Sequence, residues 1–303
     1  MDNWKEYVKK LIAYIEKYNG NVSVVGITGC YDSRENDDSA LRVYMNGGCI
    51  LKISLNVPGY YYADSYLKPN KKYVTDNEKT QLKRVIEIVD KDKLWKSGKD
   101  DFALLDQYLN IMNTATAKRF NKEQGENKER SKQTLLYSKS SKIEDFVLFD
   151  FEFQSTDKMN YANDTEVKEW LKKHPDRKKA HRGKPDYVAF DSDGFVLMEL
   201  KTNKKSLEGN AGVGDHNDDI DNIIRVNNQN RVLTKELKER LKVSLEYGLI
   251  NEGRQTAEKL MNKEDSDIIV KKRFVFLTGK EFSRDYCEKY VKEKNIKDVS
   301  IIL

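Results

Sequence analysis

Apolar residues recur at helical spacing from the start of the chain. Trp4, Tyr7, Val8, Leu11, Ile12 and Ile15 mark one face of a helix over residues 3–18, stopped by Asn19-Gly20. Shorter apolar runs then predict strands at 22–28, 41–45 and 49–56, with Gly47-Gly48 as the turn between the last two and Tyr60, Tyr61 and Tyr62 in a loop. From 76 to 136 the period returns to 3.6, carried by Leu82, Val85, Ile86 and Val89 and by Phe102, Leu105, Tyr108, Leu109 and Met112. The polar run NKEQGENKERSK at 121–132 lies inside a soft boundary at 120–136. Beyond it the pattern alternates. Strands are expected at 146–153, 184–190, 195–201, 272–277 and 298–303, and helices near 164–174 (Asp164 as N-cap), 217–230, 234–262 and 281–294. No internal repeat is visible. The expected organisation is an α+β region over 1–75, a helical region or linker over 76–135 and an α/β domain over 136–303.

Composition narrows the class. Of 303 residues, 35% are charged and 38% apolar, and 17 Tyr and 11 Phe are available to fill a core, so a globular, charge-coated chain is expected rather than a disordered one. Lys and Arg exceed Asp and Glu by only 55 to 50. A nucleic-acid partner would therefore have to be met by local clustering of charge, not by net charge. Cys30, Cys49 and Cys287 are few, odd in number and scattered, which excludes a zinc knuckle and implies no disulfide framework. No signal-type leader and no apolar run of membrane length is present, so the expectation is a cytoplasmic protein with no membrane partner.

The chemistry concentrates in KPDYVAFDSDGFVLMELK, residues 184–201. Two apolar runs flank Asp191-Ser192-Asp193-Gly194, a strong turn sequence. If those four residues form the loop, Phe190 faces Phe195, Val188 faces Leu197 and Asp186 faces Glu199. Opposed residues have Cβ atoms about 4.5–5.5 Å apart, so two carboxylates would share one face of the sheet. Lys201, two residues on, points to that face as well. Facing carboxylates repel unless something lies between them, and a divalent cation is the natural candidate. Such an ion can acidify its water and neutralise charge in an in-line displacement, while the lysine orients or deprotonates the attacking water or stabilises the phosphoryl group.

Pro185-Asp186 followed by Glu199-Leu200-Lys201 resembles the PD-(D/E)XK nuclease signature. The resemblance covers roughly 140–303. It implies a restriction-endonuclease-like mixed β-sheet flanked by helices, preceded here by the smaller α+β and helical N-terminal region. It further implies that Asp186 and Glu199 bind Mg²⁺ or Mn²⁺, with the Leu200 carbonyl as a further ligand and Lys201 as the catalytic lysine. The reaction class it implies is metal-dependent hydrolysis of phosphodiester bonds in nucleic acid, DNA foremost, in prokaryotic or phage defence, restriction or repair. Pro175-Asp176 repeats the first half of the motif in a run without strand character and is set aside.

An earlier acidic residue often completes such a site. Glu152 is preferred, with Asp150 nearly equal, both on the polar side of FDFEF opposite Phe149, Phe151 and Phe153; capping of a solvent face is the alternative. His216, in a glycine-rich loop leading into a helix, could touch a scissile phosphate or water, or serve as an N-terminal capping element. The basic run 172–184 ends beside the motif, which makes Lys178, Lys179, Arg182 and Lys184, with Lys204 beyond it, candidate phosphate contacts. Gly26-Ile27-Thr28-Gly29 lacks phosphate-loop spacing, and Tyr60–Tyr62 suit packing better than base stacking. A homodimer through the N-terminal region is compatible with the pattern. Two rivals stay open: a nucleic-acid- or partner-binding module on the same fold, and an unrelated α/β interaction protein in which 184–201 forms no hairpin in a central sheet.

Overall fold

The computed structural model describes residues 2–18, 22–28, 39–55, 60–62, 75–81, 102–120, 126–139, 142–151, 185–208, 212–250 and 252–303, with single helical positions at 165, 168, 169 and 172. The architecture is mixed α/β. The chain divides into two compact units, Met1–Ser140 with Glu246–Leu249, and Ser141–Leu245 with Ile250–Leu303. Among the described residues no helix is long and apolar enough to cross a membrane.

The first unit is built on a four-stranded antiparallel sheet in the order β1 (Val22–Thr28), β2 (Ser39–Met45), β3 (Gly48–Ser54), β4 (Tyr60–Tyr62). Helix α1 (Asp2–Glu16) buries the six apolar residues of its sequence stripe, Trp4 to Ile15, and the Trp4 indole N–H donates to the Ser54 carbonyl at 2.9 Å. The β2–β3 turn is Asn46-Gly47, with φ of 51° and 93°, rather than Gly47-Gly48. A two-residue turn with both φ positive matches strand twist, and an asparagine tolerates the left-handed region. The Asn46 amide is also spent locally, donating to Thr116 Oγ1 and Asn113 Oδ1 on α2 (Ala103–Phe120). Tyr60–Tyr62 form an edge strand paired with β3, not a loop. Helix α3 (Glu126–Lys139) runs through half of the polar segment expected to be boundary. The stripe Leu82 to Val89 lies outside the described residues.

The second unit carries a six-stranded mixed sheet in the order β10-β9-β8-β7-β6-β5. Strands β5 (Lys142–Ile143), β6 (Phe146–Phe151), β7 (Tyr187–Phe190) and β8 (Gly194–Lys201) form an antiparallel meander. The chain then crosses through α4 (Val213–Asn230), α5 (Val232–Glu246) and α6 (Arg254–Met261) to β9 (Ile269–Leu277), parallel to β8. Helix α7 (Arg284–Glu293) leads to β10 (Val299–Ile302), parallel to β9. A parallel partner needs a long crossover, and the helices that supply it cover the sheet. Val188 and Phe190 of β7 and Phe195 and Leu197 of β8 pack on Ile220, Ile223 and Val226 of α4, Leu233, Leu237 and Leu241 of α5, and Ala257 and Leu260 of α6. Gly194 opens β8 where only glycine fits, because a Cβ there would stand 1.9 Å from the Ile269 carbonyl oxygen.

Strand β6 departs from the simple alternation expected of FDFEF. A bulge between Leu148 and Asp150 shifts the register, so Asp150 pairs with Val188 and is fully buried rather than facing solvent. Its Oδ2 accepts from Arg240 of α5 at 2.6 Å, and Arg240 also donates to Glu236 at 3.0 Å. A buried carboxylate that is ion-paired this way belongs to the frame. Arg240→Ala strands the Asp150 charge and is expected to cost about 3–5 kcal/mol. Urea unfolding checks this, with Arg254→Ala, which removes the exposed pair to Glu258, as a control expected to cost under about 1 kcal/mol.

Candidate functional site

The hairpin of β7 and β8 has the register its turn sequence dictates. Phe190 pairs with Phe195, Ala189 with Val196, Val188 with Leu197 and Tyr187 with Met198. Asp191 fixes the turn. Its Oδ1 accepts the N–H groups of Asp193 and Gly194 at 2.9 and 3.0 Å, and its Oδ2 accepts from Lys271 of β9 at 2.6 Å. Counting forward by twos from Phe195 puts Glu199 and Lys201 on the sheet face that α4 covers, and Asp186, in the bend just before β7, adjoins them.

Pro185-Asp186 ends the ladder in a particular way. In the continued register Pro185 stands opposite Leu200, and proline has no N–H to give. The Leu200 N–H, which would meet the Pro185 carbonyl in a regular ladder, donates instead to Asp186 Oδ2 at 2.7 Å. The N–H and C=O of one strand residue point to the same side, so the Leu200 carbonyl is aimed at the edge where Asp186 sits. The sequence therefore gathers a carboxylate and a main-chain carbonyl at the mouth of the hairpin.

Glu199 and Lys201 are 3% and 2% exposed, unusual for charged residues. Lys201 Nζ lies 3.7 Å from Glu199 Oε2. His216 Nδ1 lies 2.5 Å from the same oxygen and 3.4 Å from Lys201 Nζ. His216 belongs to the first turn of α4, which begins at Val213, and not to a loop before the helix. Burial and the Glu199 charge push the Asp186 carboxyl up to about 8, against the Leu200 N–H and the Lys201 and His216 charges. Burial and the Lys201 ammonium push the His216 imidazole down to about 4, against Asp186, Asp219 and Asp215. With its proton on Nδ1 the ring donates to Glu199 Oε2.

Among the described residues no three His, Cys, Asp or Glu side chains form a metal cluster. The donor chemistry nevertheless fits a hard cation. Asp186, Glu199 and the Leu200 carbonyl are oxygen donors, and Mg²⁺ uses one or two carboxylates and keeps several waters. The Glu199 charge that raises the Asp186 carboxyl would be offset by a cation between the two.

The other expected contacts fare differently. Lys204 is exposed, and its Nζ lies 4.4 Å from the centroid of the Tyr286 ring on α7. Glu152, Lys178, Lys179, Arg182 and Lys184 lie outside the described residues. Asp150, the alternative to Glu152, is taken by Arg240 as described above. What sequence reasoning missed is the His216–Glu199 contact, 17 residues apart, for which only the crossover of α4 over β8 is responsible. No family model, curated protein or solved structure matches the chain.

Asp191 gives a pH test of the hairpin. Burial would raise its carboxyl, but Lys271 and the Asp193 and Gly194 N–H groups hold it below the ordinary carboxylate range. A depressed folded pKa contributes stability above the unfolded value of about 3.9 and loses it as pH falls through the folded one. Asp191→Asn is therefore expected to be less stable than the wild type at about pH 7, with the gap closing below about pH 4. Urea unfolding across that range measures it, and a gap constant down to acid would refute the role of the charge.

Proposed function

We propose that the second unit is a metal-dependent phosphodiesterase of the PD-(D/E)XK type that hydrolyses nucleic acid, DNA foremost. The observation that carries this reading is the burial of Glu199 and Lys201 on one sheet face beside Asp186, whose carboxylate takes the Leu200 N–H across the proline-ended ladder. Burying such charges costs several kcal/mol per ion in a fold that could have used apolar residues, so a site that keeps them is a functional candidate. The mixed sheet with a helical crossover between β8 and β9 is compatible with the restriction-endonuclease-like fold that the sequence motif implies.

In this reading Asp186, Glu199 and the Leu200 carbonyl hold Mg²⁺ or Mn²⁺. The ion, when bound, supplies an acidified water and neutralisation of phosphoryl charge. Lys201 is close enough to Glu199 to share the reacting space, where its ammonium orients the attacking water or stabilises the oxygens of the phosphorus centre. Burial keeps bulk water from Glu199 and Lys201, which strengthens the charge interaction between them. Lys204, and the basic run that ends at Lys184, would hold phosphates on either side of the scissile bond. A second reading, a nucleic-acid-binding module without catalysis, draws on the Glu199 carboxylate being engaged by both His216 and Lys201.

Cleavage of plasmid, linear duplex and single-stranded DNA and of RNA tests the proposal, with Mg²⁺, Mn²⁺ or EDTA. Wild type is expected to cut with metal and not with EDTA, and Asp186→Ala to lose about 10²-fold or more of the rate. Retention of nucleic acid in a gel shift without cutting by the wild type would favour the binding module. Neither cutting nor binding would overturn both.

A further inference from the structure

Among the described residues beside the end of β8, His216 of α4 has no task in the hydrolytic reading. It is fixed from both sides. Its backbone N–H donates to the Gly212 carbonyl at 3.1 Å in the first turn of α4, and its ring meets Glu199 Oε2 at 2.5 Å. A ring nitrogen this close to a carboxylate oxygen shares a proton with it, and with that proton on Nδ1 the imidazole donates to Glu199. Lys201 makes a longer ion pair with the same oxygen, at 3.7 Å. Of these two contacts, the hydrogen bond from His216 is the one that constrains the carboxylate plane. Glutamate rotates about three side-chain torsions, and a ligand left to rotate loses affinity through the entropy of ordering it.

We propose that His216 is a positioning residue for divalent-cation binding: its Nδ1–H holds the Glu199 carboxylate in the orientation from which Glu199, with Asp186 and the Leu200 carbonyl, takes Mg²⁺ or Mn²⁺. This rests on the metal-dependent reading above and adds to it a residue that acts through another. It also gives α4 a part in the site, since the helix that covers the sheet sets the angle of a ligand on the strand beneath it. The outer partner of a metal ligand typically contributes about 10–100-fold in metal affinity.

The test is binding of Mn²⁺ to the full chain, followed by calorimetric titration and by the electron paramagnetic resonance signal of free Mn²⁺, with thermal unfolding of each metal-free variant recorded alongside. Wild type is expected to bind and Asp186→Asn to lose binding. His216→Ala is expected to bind about 10–100-fold more weakly, and His216→Asn, which restores an N–H donor, to recover part of that loss. If His216→Ala does not fold, His216→Phe, which keeps a ring but has no donor, carries the comparison and is expected to show the same loss. Unchanged affinity in the donor-less variant, with Asp186→Asn still defective, would overturn the positioning role and leave the metal site standing. A wild type that binds no Mn²⁺ would overturn the metal-dependent reading itself.

Discussion

The second unit depends on one constraint: strand β8 is buried at every position from Gly194 to Lys201, yet its last turn of sequence is charged. Central strands between antiparallel and parallel neighbours have no solvent face, so Glu199 and Lys201 must find compensation inside the protein. They find it in each other and in His216, with Asp186 tied to the adjoining Leu200 N–H. Everything that positions this group follows from how β8 is held. The Asp191 turn fixes its register against β7, Gly194 lets β9 approach its start, and α4 lies over its face.

Two buried ionic groups sit on this sheet, and their difference is informative. Asp150, Arg240 and Glu236 close on one another at 2.6 and 3.0 Å, with the guanidinium bridging two carboxylates. That geometry satisfies both acids and joins β6 to α5. Around Glu199 Oε2 the contacts are uneven: His216 Nδ1 is close, at 2.5 Å, and Lys201 Nζ is farther, at 3.7 Å. Burial and the Glu199 charge push the Asp186 carboxyl up to about 8. A carboxyl whose proton affinity is raised by a neighbouring charge is a functional-site candidate more than a structural brace.

The bulge in β6 shows why the two groups could not be told apart by pattern alone. In FDFEF, strict alternation would set Asp150 on a polar face with Glu152. One extra residue in the ladder turns Asp150 into the core, where Arg240 from 90 positions later neutralises it. Bulges are set by packing of the neighbouring strand and are not marked by composition, so period counting fails there without warning.

What the sequence determined by itself was local. The α1 stripe, the register of the β7–β8 hairpin and the gathering of Asp186, Glu199 and Lys201 at the mouth of the hairpin follow from periods of 3.6 and 2 and from turn chemistry, which act over a few residues. The edge strand at Tyr60–Tyr62, the Asn46-Gly47 turn, the Asp150–Arg240 pair and the His216–Glu199 contact were decided only by tertiary structure. The two ionic contacts depend on a helix that comes later in the chain, and the edge strand depends on pairing with β3. The turn, the most local of them, was settled by the pairing of β2 with β3, together with an Asn46 amide that finds its acceptors on α2. Hydrogen bonds and ion pairs of this kind form where folding brings surfaces together, and no neighbouring residue announces them.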